Sequence, residues 1–108
     1  MKIIDAHQQK IRKLCIKYNV LKLYVFGSIV KGNYTENSDI DFVVYFKQEI
    51  PLENYADNFF DFIYELENVF NRKIDMVSGK AMKNPYFIAE VEQTKKLVYD
   101  HTNQKIAV

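Results

Sequence analysis

Residues 25–44 read VFGSIVKGNYTENSDIDFVV, and the way this stretch divides sets the fold. Leu21 to Phe26 is a short run of apolar, β-branched and aromatic residues, which predicts a strand. The run stops at Gly27-Ser28. Gly32 to Ser38 consists almost wholly of turn-forming residues, and Asp39 to Phe46 (DIDFVVYF) resumes strand character.

Working outward, residues 3–18 place Ile3, Ile4, His7, Ile11, Leu14, Cys15 and Tyr18 at helical spacing, and Asn19 ends that helix. On the other side, Asn54 to Phe70 reads as a long helix whose core stripe is Tyr55, Phe59, Phe62, Ile63, Leu66 and Phe70. Arg72 to Ser78 is a third strand, closed by Gly79. Asn84-Pro85 opens another helix, since Asn caps free N–H groups and Pro needs no donor at the first helical position. Leu97-Val98-Tyr99 fits either an extension of that helix or a short final strand. The expected order is α-β-β-α-β-α, with at least one strand pair joined too tightly to be parallel. The fold class is therefore mixed α/β, a small mixed sheet flanked by helices.

At 108 residues the chain is expected to be one domain, 1–108. Fifteen basic residues face fourteen acidic ones, a balance that does not favour bulk DNA or RNA as partner, because phosphate-backbone binding leaves a basic excess. No run approaches a membrane span, and the N-terminus is too interrupted by charge for a signal sequence. A single cysteine, Cys15, fits a reducing compartment, and its neighbours Leu14 and Ile16 mark it as a core residue. A cytoplasmic protein is the expectation.

The chemistry gathers at Asp39-Ile40-Asp41. Residues i and i+2 of a strand share a face, so both carboxylates project together while Ile40 and Phe42 turn to the core. Two adjacent carboxylates raise each other's pKa, and a divalent cation removes that cost. Mg²⁺ suits the place, being commonly held by one or two carboxylates and substrate phosphates. By itself the pair is a weak signal among seven aspartates. Gly27-Ser28 strengthens it: glycine permits close approach, and a helical turn starting at Ser28 would aim free N–H groups at a phosphate. Ten residues separate Ser28 from Asp39, enough to bring the two strand ends together. Asp75, in the run KIDMV, places a third carboxylate on a later strand. The bland alternative for it is a salt bridge to Arg72, Lys73 or a helix lysine.

Other residues tempt less. His7 lies on an apolar stripe and reads as packed, and His101 as exposed in a polar tail. Lys80 and Lys83 follow a strand and could reach phosphate or solvent. Phe60 and Tyr64, four apart, widen the apolar face of the long helix, either beneath the last helix or as an exposed patch for a partner.

The three-part pattern, VFGSIVKGNYTENSDIDFVV followed by KIDMVS, resembles the minimal nucleotidyltransferases of the DNA polymerase β superfamily, known as the MNT group. The resemblance runs from about Leu21 to Tyr99. It implies nucleotidyl transfer with two Mg²⁺ ions and ATP: Asp39, Asp41 and Asp75 as metal ligands and catalytic residues, with Gly27, Ser28, Lys31 and Ser38 binding the nucleotide. Many relatives carry Arg directly after Gly-Ser, where this chain has Ile29, so Lys31 is the nearest replacement cation. A chain this small has no room for an acceptor domain, so the acceptor must come from a partner or from a second copy in a homo-oligomer. The resemblance implies a HEPN-domain partner, a toxin whose tyrosine would receive AMP while this chain acts as antitoxin. Two other readings compete. One is a catalytically silent module that neutralises by contact. The other is a transferase acting on a small molecule such as an aminoglycoside.

Overall fold

The structure is a computed structural model and describes residues 1–102. Its centre is a four-stranded mixed sheet in the order β3-β2-β1-β4. β1 (Val20–Phe26) runs antiparallel to β2 (Ile40–Phe46), and β2 runs parallel to β3 (Ile74–Ser78). The open segment Leu97-Tyr99 belongs to β4 (Lys96–Asp100), which lies antiparallel to β1 on its other side. The order therefore gains a final strand.

Alternation along the strands makes two packing faces. Ile40 and Phe42 of β2 face one way, as read from the sequence, together with Val44 and Phe46 of the same strand and Leu23 and Val25 of β1. This face is covered by α2 (Gln8–Lys17) and α4 (Tyr55–Phe70), which bury Ile11, Cys15, Phe62, Leu66 and Phe70 against it. Each such side chain withdrawn from water contributes about 1.5–3 kcal/mol before entropy is counted. Both helices end on an asparagine in the left-handed region, Asn19 at φ 61° and Asn71 at φ 51°, a role asparagine tolerates better than most residues. The expected first helix is broken: a single turn, α1 (Lys2–Asp5), precedes α2, and His7 sits at the break with Phe70 edge-on to its ring at 5.1 Å. His7 is thus packed, and Cys15 is fully buried.

The opposite face carries Phe26, Val43 and Val77 and is covered by α5 (Pro85–Thr94), through Phe87 and Val91, with Met82 packed beside them. Asn84 caps α5 as its sequence predicts, its side-chain oxygen accepting from the N–H groups of Tyr86 (2.9 Å) and Phe87 (3.2 Å). Because α5 lies across the sheet from α4, it cannot cover Phe60 and Tyr64, which remain 65 % and 64 % exposed. His101 departs from expectation: it is half-buried, with Nδ1 3.5 Å from the Tyr99 hydroxyl. Among the described residues no helix is long and apolar enough to cross a membrane.

Candidate active site

The sheet register does the first work. Asp41 pairs with Phe26 across the antiparallel ladder and with Asp75 across the parallel one. Two carboxylates therefore stand side by side on the face that α5 only partly covers, next to the end of β1. At that end Gly27 has φ 78° and ψ −143°, a backbone region open almost only to glycine. A β-carbon there would meet Asp41 Oδ2 at 2.5 Å. Glycine is required twice over, for the bend and for the carboxylate lying against it.

The chain then makes one helical turn, α3 (Ser28–Lys31), as the sequence predicts. The N–H groups of Val30 and Lys31 both donate to the Gly27 carbonyl at 3.0 Å. Those of Ser28 and Ile29 come earlier and have no carbonyl to reach within the turn. A single turn has little macrodipole, so these local donors matter more than the helix field. Gly27's own N–H is directed elsewhere, to Thr94 Oγ1 at 3.4 Å.

Asp41 is half-buried, and its pKa is pushed up to about 6. Burial is the largest cause, followed by the charges of Asp75 and Asp39, hydrogen bonding with Asp75 and the charge of Glu90. Asp75 itself is exposed, because β3 is an edge strand, so burial gives it no need of a partner. Its meaning comes from register. No ion pair to Asp75 occurs among the described residues; Arg72 instead donates to the carbonyls of Thr35 (3.1 Å) and Ser38 (3.0 Å) and covers the Tyr34 ring. Asp39 lies one residue ahead of β2, half-buried.

Among the described residues, no three acidic, histidine or cysteine side chains converge into a ready-made metal cage. The donor set is instead two adjacent carboxylates with a third nearby, all hard oxygen, and it carries uncompensated negative charge at Asp41. That fits Mg²⁺, which keeps waters and takes phosphate oxygens to complete its shell, and does not fit a metal needing a closed protein cage.

A cavity of about 280 Å³ opens beside these groups, lined by Phe26, Gly27, Ser28, Lys31, Asn33, Asp41, Asp75, Phe87 and Glu90. Five of the seven expected site residues thus share one cavity. Asp39 acts on it through charge but is not on its wall. Ser38 is not on the wall either: its Oγ accepts from Thr35 N–H at 2.9 Å and shapes the loop. Ile29, at the position where the resemblance leads to Arg, is buried in the core and faces away from solvent. Lys31 reaches across to Glu90, Nζ to Oε1 at 2.9 Å. Phe87 and Glu90, three apart on α5, are wall residues that sequence reading overlooked. Their only local signal was the start of the helix at Asn84.

A strand ending in Gly-Ser thus stands beside paired aspartates at the wall of one cavity. The family model described as "Polymerase beta, Nucleotidyltransferase" matches residues 9–104, and the chain belongs to that family. It is 32% identical over 99 residues to a Methanocaldococcus jannaschii protein provisionally named a protein adenylyltransferase, covering 86% of this chain and 95% of that one. It is also 32% identical over 82 residues to the protein adenylyltransferase MntA of Thermococcus cleftensis, covering 76% of each. Solved structures share the fold at low identity. One is a toxin–antitoxin structure with AMP-PNP (TM-score 0.67, 20% identity, 90% of this chain and 77% of that one). Another is a tri-AMPylated HEPN toxin of Shewanella oneidensis in complex with an MNT antitoxin (TM-score 0.62, 17% identity, 93% and 75%).

Proposed function

We propose that this nucleotidyltransferase moves AMP from Mg²⁺-bound ATP to a hydroxyl on a protein, a tyrosine of a HEPN-type toxin, and so acts as its antitoxin. The observation that carries the donor half is the register pairing of Asp41 with Asp75 against Gly27, at the wall of one cavity. The acceptor half is supported by the names of the relatives and by the AMPylated toxin in a structure of the same fold.

In this reading Asp39, Asp41 and Asp75 would hold two Mg²⁺ ions. When bound, these supply charge neutralisation of the triphosphate and activation of the acceptor oxygen. Ser28, with the first N–H groups of α3, holds the β- and γ-phosphates, and Lys31 stands in for the missing arginine. The acceptor oxygen forms a bond to the α-phosphorus, the bond to the β-phosphate oxygen breaks, and pyrophosphate leaves. Asp75, exposed on its edge strand, takes the acceptor's proton. Such a site sequesters little by itself, so the partner completes the acceptor side.

The test is to mix the chain with a HEPN-type toxin that it neutralises, ATP and Mg²⁺, and weigh both proteins. The partner should gain whole adenylate units, and the gain should vanish in the double variant Asp39→Ala, Asp41→Ala. An unchanged partner mass contradicts transfer. Two observations favour the contact-only alternative: Lys31 is tied up with Glu90, and Ile29 is buried. If the double variant still neutralises the toxin fully, contact alone is the function.

A further inference from the structure

The Lys31–Glu90 pair spans the cavity that holds the proposed donor nucleotide, from α3 to α5. Three observations place Glu90 in the business of that cavity. Both partners line its wall together with Asp41 and Asp75. The charge of Glu90 acts on Asp41. The backbone of Glu90 is also fixed relative to the Gly27 turn through one side chain: Thr94 Oγ1 accepts from Gly27 N–H at 3.4 Å and donates to the Glu90 carbonyl at 3.0 Å. Helix α5 is therefore pinned to the turn at Thr94, one helical turn beyond Glu90.

A carboxylate on the wall of an anion-binding cavity is unfavourable for a bare polyphosphate. Lys31 masks it through the ion pair. A triphosphate that draws Lys31 away leaves Glu90 facing its phosphates, alongside Asp41 and Asp75. An accompanying cation offsets that repulsion; a metal-free triphosphate has nothing to offset it. We propose that Glu90 is a selectivity residue of the donor site, holding Lys31 across the pocket and disfavouring triphosphate that arrives without its cation. The inference rests on the donor-site reading above.

The pair is about half-exposed on both sides, 47% and 50%, so its effect is modest. One such contact changes a binding constant by about three- to fivefold. The measurement is the affinity for AMP-PNP with Mg²⁺ and with a chelator instead, for the wild type, Glu90→Gln, Lys31→Ala and the double variant. The readout is the ratio of metal-bound to metal-free affinity, which a purely structural loss would not move. Glu90→Gln is expected to shrink that ratio about three- to fivefold by improving the metal-free binding. In the Lys31→Ala background there is no pair to break, so removing Glu90 lifts the repulsion alone and should help metal-free binding less. A wild type that binds AMP-PNP while Glu90→Gln leaves the ratio unchanged overturns this inference alone. A wild type that binds nothing in either condition overturns the donor-site reading and this inference with it.

Discussion

Gly27 shows how much one residue decides. Its φ of 78° and the 2.5 Å approach of Asp41 Oδ2 to its missing β-carbon are separate obstacles to any side chain. Gly27→Ala is expected to cost about 1–3 kcal/mol of stability, measured by urea unfolding, and to weaken Mg²⁺-nucleotide binding more than that loss explains, because the Asp41 carboxylate must move. Asp41 gives a pH prediction. Its carboxyl titrates near 6 in the folded, ligand-free protein against an ordinary value of 3.8. Between those values the folded state holds more protons than the unfolded chain, so this group lowers stability as pH rises through the window. The penalty is fully present above about pH 6 and absent below about pH 4. Asp41→Asn should therefore melt higher than the wild type at pH 7.5 in chelator, with the advantage fading toward pH 4. An advantage that grew as pH fell would contradict the assignment. The Asp-x-Asp pair and the Gly-Ser turn were legible in the sequence because each obeys a short-range rule of strand alternation or backbone freedom. Burial was not: Asp75 sits in an apolar run yet is exposed, since nothing local tells an edge strand from a central one.

At the scale of elements, α5 links the hydrophobic face to the chemistry. Phe87 and Val91 pack it on the sheet, Glu90 and Phe87 reach the cavity, and Thr94 meets the Gly27 turn. Its cap is a clean handle. Asn84→Ala leaves two N–H groups without their acceptor and is expected to cost about 1 kcal/mol in chemical denaturation, while Asn84→Asp should restore most of it. Equal stability of the Ala variant and the wild type would show that the cap contributes nothing. The start of α5 was readable from Asn84-Pro85, but its role at the site was not, because that depends on which sheet face the helix covers. β4 was undecided for the same reason. Leu97-Val98-Tyr99 is too short for its period to choose between helix and strand, and its pairing with β1 joins residues far apart in sequence. The break at His7 carried no Gly or Pro to announce it.

For the whole molecule, the two faces of the sheet divide the labour. The face under α2 and α4 buries most of the core, and the face under α5 leaves its upper end open to Asp41 and Asp75. That division leaves room for the proposed donor site on the open end, with the acceptor assigned to a partner. Phe60 and Tyr64 remain on the outer side of α4, away from this site, as exposed aromatic surface. The central claim is transfer of a nucleotide, and the position of a label in ATP tests it most directly. The chain, the proposed HEPN-type partner and Mg²⁺ are incubated in parallel with ATP labelled at the α-phosphate and ATP labelled at the γ-phosphate. The account predicts that the partner becomes labelled from the α-phosphate alone, and that Asp39→Ala with Asp41→Ala abolishes it. Label arriving from the γ-phosphate, or from neither, would contradict it.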